Sequence, residues 1–293
     1  MSYGIEVKDL RVRYKDFTAI DSTTFQLKPG KIHGLLGRNG AGKTTLLSVL
    51  AAFRKADAGS IKIDGEDPFE NPRIMQDTIF IYDQHQDLEY LYEKIDKTLK
   101  ETAALRPNFD EAYALHLAKK FKLPLNKKLN QLSKGKKSAF QAIIGLAARA
   151  PLTIFDEAYL GMDAPTRDIF YKEILNDQEK NPRTIIFSTH LVSETAYLFD
   201  EVLMIHNGEV LLQDTNEQVI SKGFSITGSS EQVDDFTKNL DVLNSQVLGG
   251  TKSVMVYGEL TEQQRHAANQ AGLEIGALSL HDLFVHLTKE EEE

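Results

Sequence analysis

The chain has no cysteine among its 293 residues. That excludes disulfides, thiol catalysis and cysteine-ligated zinc or iron–sulfur centres. It also lacks any apolar run approaching the about 20 residues that a bilayer-spanning helix needs. Direct membrane insertion is therefore not expected. The opening stretch, Met1-Ser2-Tyr3-Gly4-Ile5-Glu6, lacks the basic-then-apolar pattern of a secretory signal. Positive charge is in short supply as well, with 34 Lys+Arg against 43 Asp+Glu and a net charge of −9. An acidic total argues against a nucleic-acid-binding face.

The deficit is local. Residues 1–213 hold 29 basic and 29 acidic side chains, whereas residues 214–293 hold 5 and 14. This step in charge predicts two domains, 1–213 and 214–293. The closing Glu290-Glu291-Glu292-Glu293 reads as a solvated end. Otherwise 41% hydrophobic and 26% charged residues describe an ordinary globular chain.

Strand and helix signals alternate in the larger part. Glu6–Leu10, Thr24–Leu27 and Gly30–Leu36 read as strands, and a helix is expected from Lys43 to Ala52. Residues 94–149 read as helical, with Pro107 and Pro124 as breaks. Strands return at Leu152–Phe155 and Thr184–Ser188. Glu201–Ile205 and Glu209–Leu212 flank His206-Asn207-Gly208, where Asn-Gly suits a type I′ hairpin turn. Such alternation predicts an α/β fold with a mostly parallel sheet covered by helices. In the last part, Phe224–Thr227 and Ser253–Tyr257 read as strands. Ser230–Leu240, Glu262–Ala271 and Leu280–Leu287 read as helices. This predicts a small α+β module.

Gly37-Arg38-Asn39-Gly40-Ala41-Gly42-Lys43-Thr44 matches GxxxxGK[ST] at every fixed position, between a strand and a helix as that motif requires. Glycines let backbone N–H groups curl around phosphate oxygens, and the helix N-terminus adds partial positive charge. Lys43 is expected to reach the β- and γ-phosphates, and the Thr44 hydroxyl to ligate Mg²⁺, with Thr45 beside it. Leu152-Thr153-Ile154-Phe155-Asp156-Glu157 is a mostly apolar run ending in two carboxylates. Asp156 fits the Mg²⁺-holding aspartate of P-loop enzymes, and Glu157 is placed to polarise an attacking water.

With five further segments, the chain resembles the ATP-binding-cassette (ABC) ATPase family over about residues 4–213. Leu132-Ser133-Lys134-Gly135-Lys136 is similar to the LSGGQ signature. By that resemblance Ser133 and Gly135 cap the γ-phosphate of ATP held by an opposing subunit. Gln84 matches the glutamine that touches Mg²⁺ and the attacking water, His190 the histidine that contacts the γ-phosphate, Asp163 the D-loop acid, and Tyr14 the aromatic that stacks on adenine. Four positions depart from the pattern. Lys134 and Lys136 stand where the signature has Gly and Gln, and Ala158 and Tyr159 stand where Pro and Thr or Leu follow the acidic pair. Thr153 also puts a hydroxyl in a normally apolar strand.

The resemblance implies a P-loop ABC core, a mixed sheet with RecA-like and helical subdomains, the latter about 94–149. It implies ATP and Mg²⁺ as ligands and head-to-tail pairing around two ATP, as a homodimer or with a second ABC ATPase. It also implies transmembrane permease subunits that hold the chain at the cytoplasmic face of the membrane. Nucleic acid is not an expected partner. The short helical region, the Leu-Ser-Lys-Gly signature and the C-terminal extension resemble cassettes of Gram-positive bacterial exporters. An importer ATPase and a soluble ABC ATPase are the alternatives. The extension does not read like the paired β-barrel of sugar-importer cassettes.

Overall fold

The computed structural model describes residues 2–82 and 92–289. Their contacts divide into two compact units, one of Met1–His190 with Leu203–Gln213, the other of Leu191–Val202 with Asp214–Glu293. Leu191–Val202 thus falls in the second unit although it precedes the step in charge.

The first unit opens with strands β1 (Ile5–Tyr14), β2 (Phe17–Leu27) and β3 (Ile32–Leu36), then helix α1 (Lys43–Leu50), β4 (Ala58–Ile63), the short α2 (Pro72–Gln76) and β5 (Thr78–Ile81). Three helices follow, α3 (Ile95–Leu105), α4 (Glu111–Lys120) and α5 (Lys134–Ala147). Next come β6 (Leu152–Asp156), α6 (Ala164–Lys180) and β7 (Thr184–Thr189). The strands β8 (Glu201–His206) and β9 (Glu209–Thr215) follow a short helix, α7 (Val192–Thr195). Asn207 and Gly208 join them with φ of 48° and 82°, the pair of positive values that a type I′ turn demands.

β2-β1-β4 form an antiparallel sheet, and a second sheet runs β5-β6-β7-β3-β8-β9. β5, β6, β7 and β3 are mutually parallel neighbours. Every residue of β3, β6 and β7 is buried, as expected of parallel strands covered on both faces. Between the sheets, Leu46, Leu47 and Leu50 of α1 share one core with Ile5, Leu10 and Ile63 on one side and Leu35, Ile154 and Ile186 on the other. On the helical side, α5 lies so close to the sheet that a Cβ at Gly145 would sit 2.5 Å from the Phe155 ring.

The second unit continues with α8 (Asn216–Ser221), β10 (Gly223–Ser229), α9 (Ser230–Thr237), β11 (Val242–Leu248), β12 (Thr251–Tyr257), α10 (Glu262–Gln270), β13 (Glu274–Ala277) and α11 (Leu280–Leu287). Its sheet order is β11-β12-β10-β13, antiparallel throughout. That is the split βαβ arrangement, β-α-β-β-α-β. Phe224, Ile226, Val254 and Val256 of the sheet share a core with Val233 of α9 and Ala268 of α10. Reciprocal capping boxes start α10 (Thr261 and Gln264) and α11 (Ser279 and Asp282). Two strands, β11 and β13, were not expected from the sequence, and α9 stops at Thr237, short of Leu240.

Thr153 has a structural role. Its hydroxyl accepts a hydrogen bond from the Arg183 guanidinium at 3.1 Å, and Arg183 also pairs with Asp177 at 2.6 Å. Arg149 donates to the same carboxylate. Burial, reinforced by the charge of Arg149, brings the Arg183 pKa down to about 10. Removing one partner of such a buried pair strands the other charge, at a cost of about 3–5 kcal/mol. Asp177→Ala is therefore expected to lower unfolding free energy by about 3 kcal/mol, read as a lower midpoint in urea denaturation.

Candidate nucleotide and hydrolysis site

β3 delivers the chain into a turn whose glycines are sterically required. A Cβ at Gly37 would lie 2.8 Å from the Ile205 carbonyl oxygen, and one at Gly42 would lie 2.6 Å from that of Ala19. Gly40 and Gly42 also take φ of 86° and 102°, which side-chain-bearing residues rarely adopt. Gly42 occupies the N-cap of α1 and supplies no side-chain cap, so the first-turn amides have no competing side-chain acceptor there.

Lys43 is 93% shielded from solvent, with 7% exposure. Its Nζ donates to the Gly37 carbonyl at 2.6 Å and the Arg38 carbonyl at 3.2 Å. Burial lowers its pKa, and the charges of Glu157 and Asp156 pull the other way. The ammonium therefore lies over the loop that would cradle phosphate.

The acids arrive from β6. Thr44 Oγ1 donates to Asp156 Oδ2 at 2.6 Å, and Ser188 Oγ, from β7, donates to Asp156 Oδ1 at 2.5 Å. Burial raises the Asp156 pKa against the stabilising pull of those two hydroxyls. Glu157 follows with φ of 51°, a left-handed backbone that costs a non-glycine residue free energy and is found concentrated at functional sites. Its Oε1 lies 3.6 Å from Lys43 Nζ and its Oε2 2.9 Å from His190 Nδ1. Tyr159 donates its hydroxyl proton to Oε2 as well.

Lys43, Thr44 and Glu157 border a cleft of about 320 Å³ whose lining also includes Tyr14, Phe17, Arg38, Asn39, Gly40 and Thr45. Tyr14 and Phe17 are 45% and 62% exposed, so neither is a core aromatic. The Arg54 guanidinium stacks 3.9 Å from the Tyr14 ring centre. The exposed faces of this aromatic pair are open to stacking with a planar group.

The structure therefore brings together Tyr14, the 37–45 loop, Asp156, Glu157 and His190. It places other predicted residues elsewhere. Ser133 is the N-cap of α5 but makes no capping hydrogen bond. At Gly135 a Cβ would meet the Gly161 carbonyl oxygen at 2.4 Å. Asp163 caps α6, accepting from the Thr166 N–H at 3.0 Å; hydrogen bonding with the Thr166 side chain foremost, and with that N–H next, holds its pKa down. None of these three lines the cleft. Gln84 lies outside the described residues. Two participants were missed as site residues: Ser188, one of six buried residues in an apolar strand, and Tyr159, noted only as a departure from the family pattern.

Residues 20–160 match the ABC transporter family model. Over this stretch, just under half of its length, the chain is similar to an ABC cassette. It is 29% identical over 191 residues to the ABC transporter ATP-binding protein YtrB of Bacillus subtilis, covering 65% of this chain and 64% of that one. It is 27% identical over 281 residues to the spermidine/putrescine import ATP-binding protein PotA of Nitrosospira multiformis, covering 93% of this chain and 74% of that one. In fold it is similar to a dimeric post-hydrolysis ATP-binding cassette bound to ADP and Pi, at a TM-score of 0.64 and 20% identity, covering 72% of this chain and 98% of the other.

Two substitutions separate binding from chemistry. Glu157→Gln is expected to retain ATP while slowing phosphate release by about 100-fold or more, the scale of a lost general base. Lys43→Ala is expected to weaken nucleotide binding itself in a fluorescence titration. Parental turnover in the first variant, or parental affinity in the second, contradicts the corresponding role.

Proposed function

We propose that this chain is the ATPase subunit of a membrane ABC transporter, most simply an exporter, working as a head-to-tail dimer at the cytoplasmic membrane face. In this reading 1–213 is the ATPase domain, 94–149 its helical subdomain, and 214–293 an accessory domain.

The carrying observation is the division of the site. The P-loop and Glu157 line one cleft, with Asp156 bonded to Thr44 and His190 against Glu157 behind them, while Ser133 and Gly135 have no such link to it. Ser133 begins a 14-residue helix without spending its hydroxyl on capping. A hydroxyl and uncapped amides at such a terminus suit a phosphate. A second cassette, a copy of this chain or a different ABC ATPase, would place that terminus against the γ-phosphate. ATP then acts as charged glue for the closed dimer, and a ligand that favours one state shifts the equilibrium toward it.

Thr44 and Asp156 suit Mg²⁺, being hard oxygen donors already converged within one hydrogen bond; Gln84 is the third ligand proposed. The ion would offset charge on the β- and γ-phosphates. This chain's own residues do the rest. Lys43 exchanges its loop carbonyls for phosphate oxygens, Glu157 orients water through Oε1, and His190 faces the γ-phosphate.

No helix among the described residues is long and apolar enough to cross a membrane; in this reading permease subunits supply the membrane path. A groove of about 400 Å³ between β5 and the helices α3 and α5 is lined by Ile81, Tyr82, Leu105, Phe140, Gln141 and Ile144, among others. It suits a short apolar helix from such a partner. Export is supported by the signature type and by the open four-stranded sheet of the second unit, which is unlike a sugar-importer barrel. Import is the second reading, favoured by the likeness to PotA over 281 residues. Leu105, 79% exposed at the groove, tests the docking. Leu105→Asp is expected to leave ATP binding and folding intact while abolishing co-purification with membranes. Undiminished co-purification contradicts this docking site. Cargo accumulation in inverted vesicles, set against cargo loss, separates the two directions.

A further inference from the structure

We propose that Tyr159 is a positioning residue of the hydrolytic site, tethering one oxygen of Glu157 so that the other is left for the attacking water. This rests on the reading of Glu157 as the group that polarises water. The ring is buried, with 1% exposure. It stacks on Phe187 with ring centres 6.1 Å apart and meets Tyr171 edge-on at 6.4 Å. Packing of this kind fixes the side-chain torsions.

The hydroxyl at its tip is fully committed. Thr189 Oγ1 donates to it at 2.9 Å and the His190 backbone N–H at 3.4 Å. A phenol has one proton and two lone pairs. With both acceptor positions used, its proton is directed to Glu157 Oε2, the bond the structure contains. His190 Nδ1 lies 3.3 Å from the same hydroxyl. Burial and the neighbouring carboxylate raise the Tyr159 pKa, so the proton stays on the phenol as a donor.

Glu157 is thereby held unequally. Oε2 receives Tyr159 and lies against His190, whereas Oε1 is buried and faces Lys43 Nζ at 3.6 Å, beyond hydrogen-bond distance. A buried carboxylate oxygen without a donor is costly, and a water or the γ-phosphate's attacking water supplies what is missing. The residue types usual at this position, Thr or Leu, lack the length or the hydroxyl to make the tether. Ala158 beside it is buried and leaves the turn free of a proline ring. The left-handed backbone at Glu157 alone leaves the carboxylate several rotamers; the phenol selects one.

The test uses the full chain. Tyr159→Phe keeps the ring and removes only the hydroxyl. It is expected to lower kcat about tenfold or more, the scale of one charge-assisted hydrogen bond, with KM for MgATP within about twofold and thermal midpoint within a few degrees. In single turnover on a Glu157→Gln background, the same substitution is expected to add little, because its effect passes through that carboxylate. Thr189→Val, which leaves the tyrosine in place and removes its donor, is expected to lower kcat in the same direction by a smaller factor. The proposal is overturned if Tyr159→Phe keeps kcat within about twofold, or if it slows both backgrounds equally. Those outcomes remove the role of Tyr159 alone. Parental hydrolysis by Glu157→Gln instead removes the reading of Glu157 on which the tether depends.

Discussion

The order of three strands governs this site. β6, β7 and β3 are adjacent and parallel, so their C-terminal ends form one row. β3 ends in the phosphate loop, β6 in Asp156 and Glu157, and β7 in Thr189 and His190. Ligands in open parallel sheets bind at such carboxyl ends. Asp156 then fastens the row across chain segments, one oxygen taking the Thr44 hydroxyl from α1 and the other the Ser188 hydroxyl from β7. Residues far apart in sequence are thereby fixed within a few ångströms by backbone pairing, without a disulfide and in a chain that has no cysteine to form one.

Desolvation sets the electrical state of this row. Lys43 and Asp156 are buried, and burial displaces each toward its neutral form. Neighbours oppose that displacement: Glu157 and Asp156 for the lysine, the Ser188 and Thr44 hydroxyls and Lys43 for the aspartate. In the proposed function, phosphate would offer the Lys43 ammonium oxygens of higher charge than the carbonyls of Gly37 and Arg38 that it now meets. On that proposal the site would be pre-organised for an anion, because its cation is already in place.

Much of this was legible in the sequence because the motif residues sit at strand ends, where local pattern and chemistry coincide. The glycines at 37, 40 and 42, the apolar runs of β6 and β7, and the Asn207-Gly208 turn each carry a short-range signal. The rest depends on tertiary contacts. Ser188 is one polar residue in a buried strand, and nothing local reveals that it faces Asp156. Thr153 looks anomalous until Arg183 and Asp177 are seen beside it. Tyr159 reads as an oddity two residues after an acid, yet its partners Thr189 and His190 lie on another strand. β11 was missed because it is almost wholly exposed, without the alternation of a half-buried strand; β13 has four residues and a glycine.

The two lysines of the signature illustrate how a departure is resolved by its surroundings. A lysine beside an ATP-facing segment suggests attraction to phosphate. Lys136 does not point that way: its Nζ donates to the Phe121 carbonyl at 2.5 Å, at the end of α4. A helix C-terminus carries unsatisfied carbonyls and partial negative charge, and a cation there satisfies both. Substituting Gln by Lys at this position thus joins α5 to α4 within the helical segment. Ser138, one turn further on, donates to the Leu160 carbonyl at 2.5 Å, joining the same helix to the turn that follows Glu157. The start of α5 is therefore braced on both sides by its own chain. Ser133, exposed at that start, makes no capping hydrogen bond with its side chain, and bracing from both sides fixes the position of the helix end that carries it.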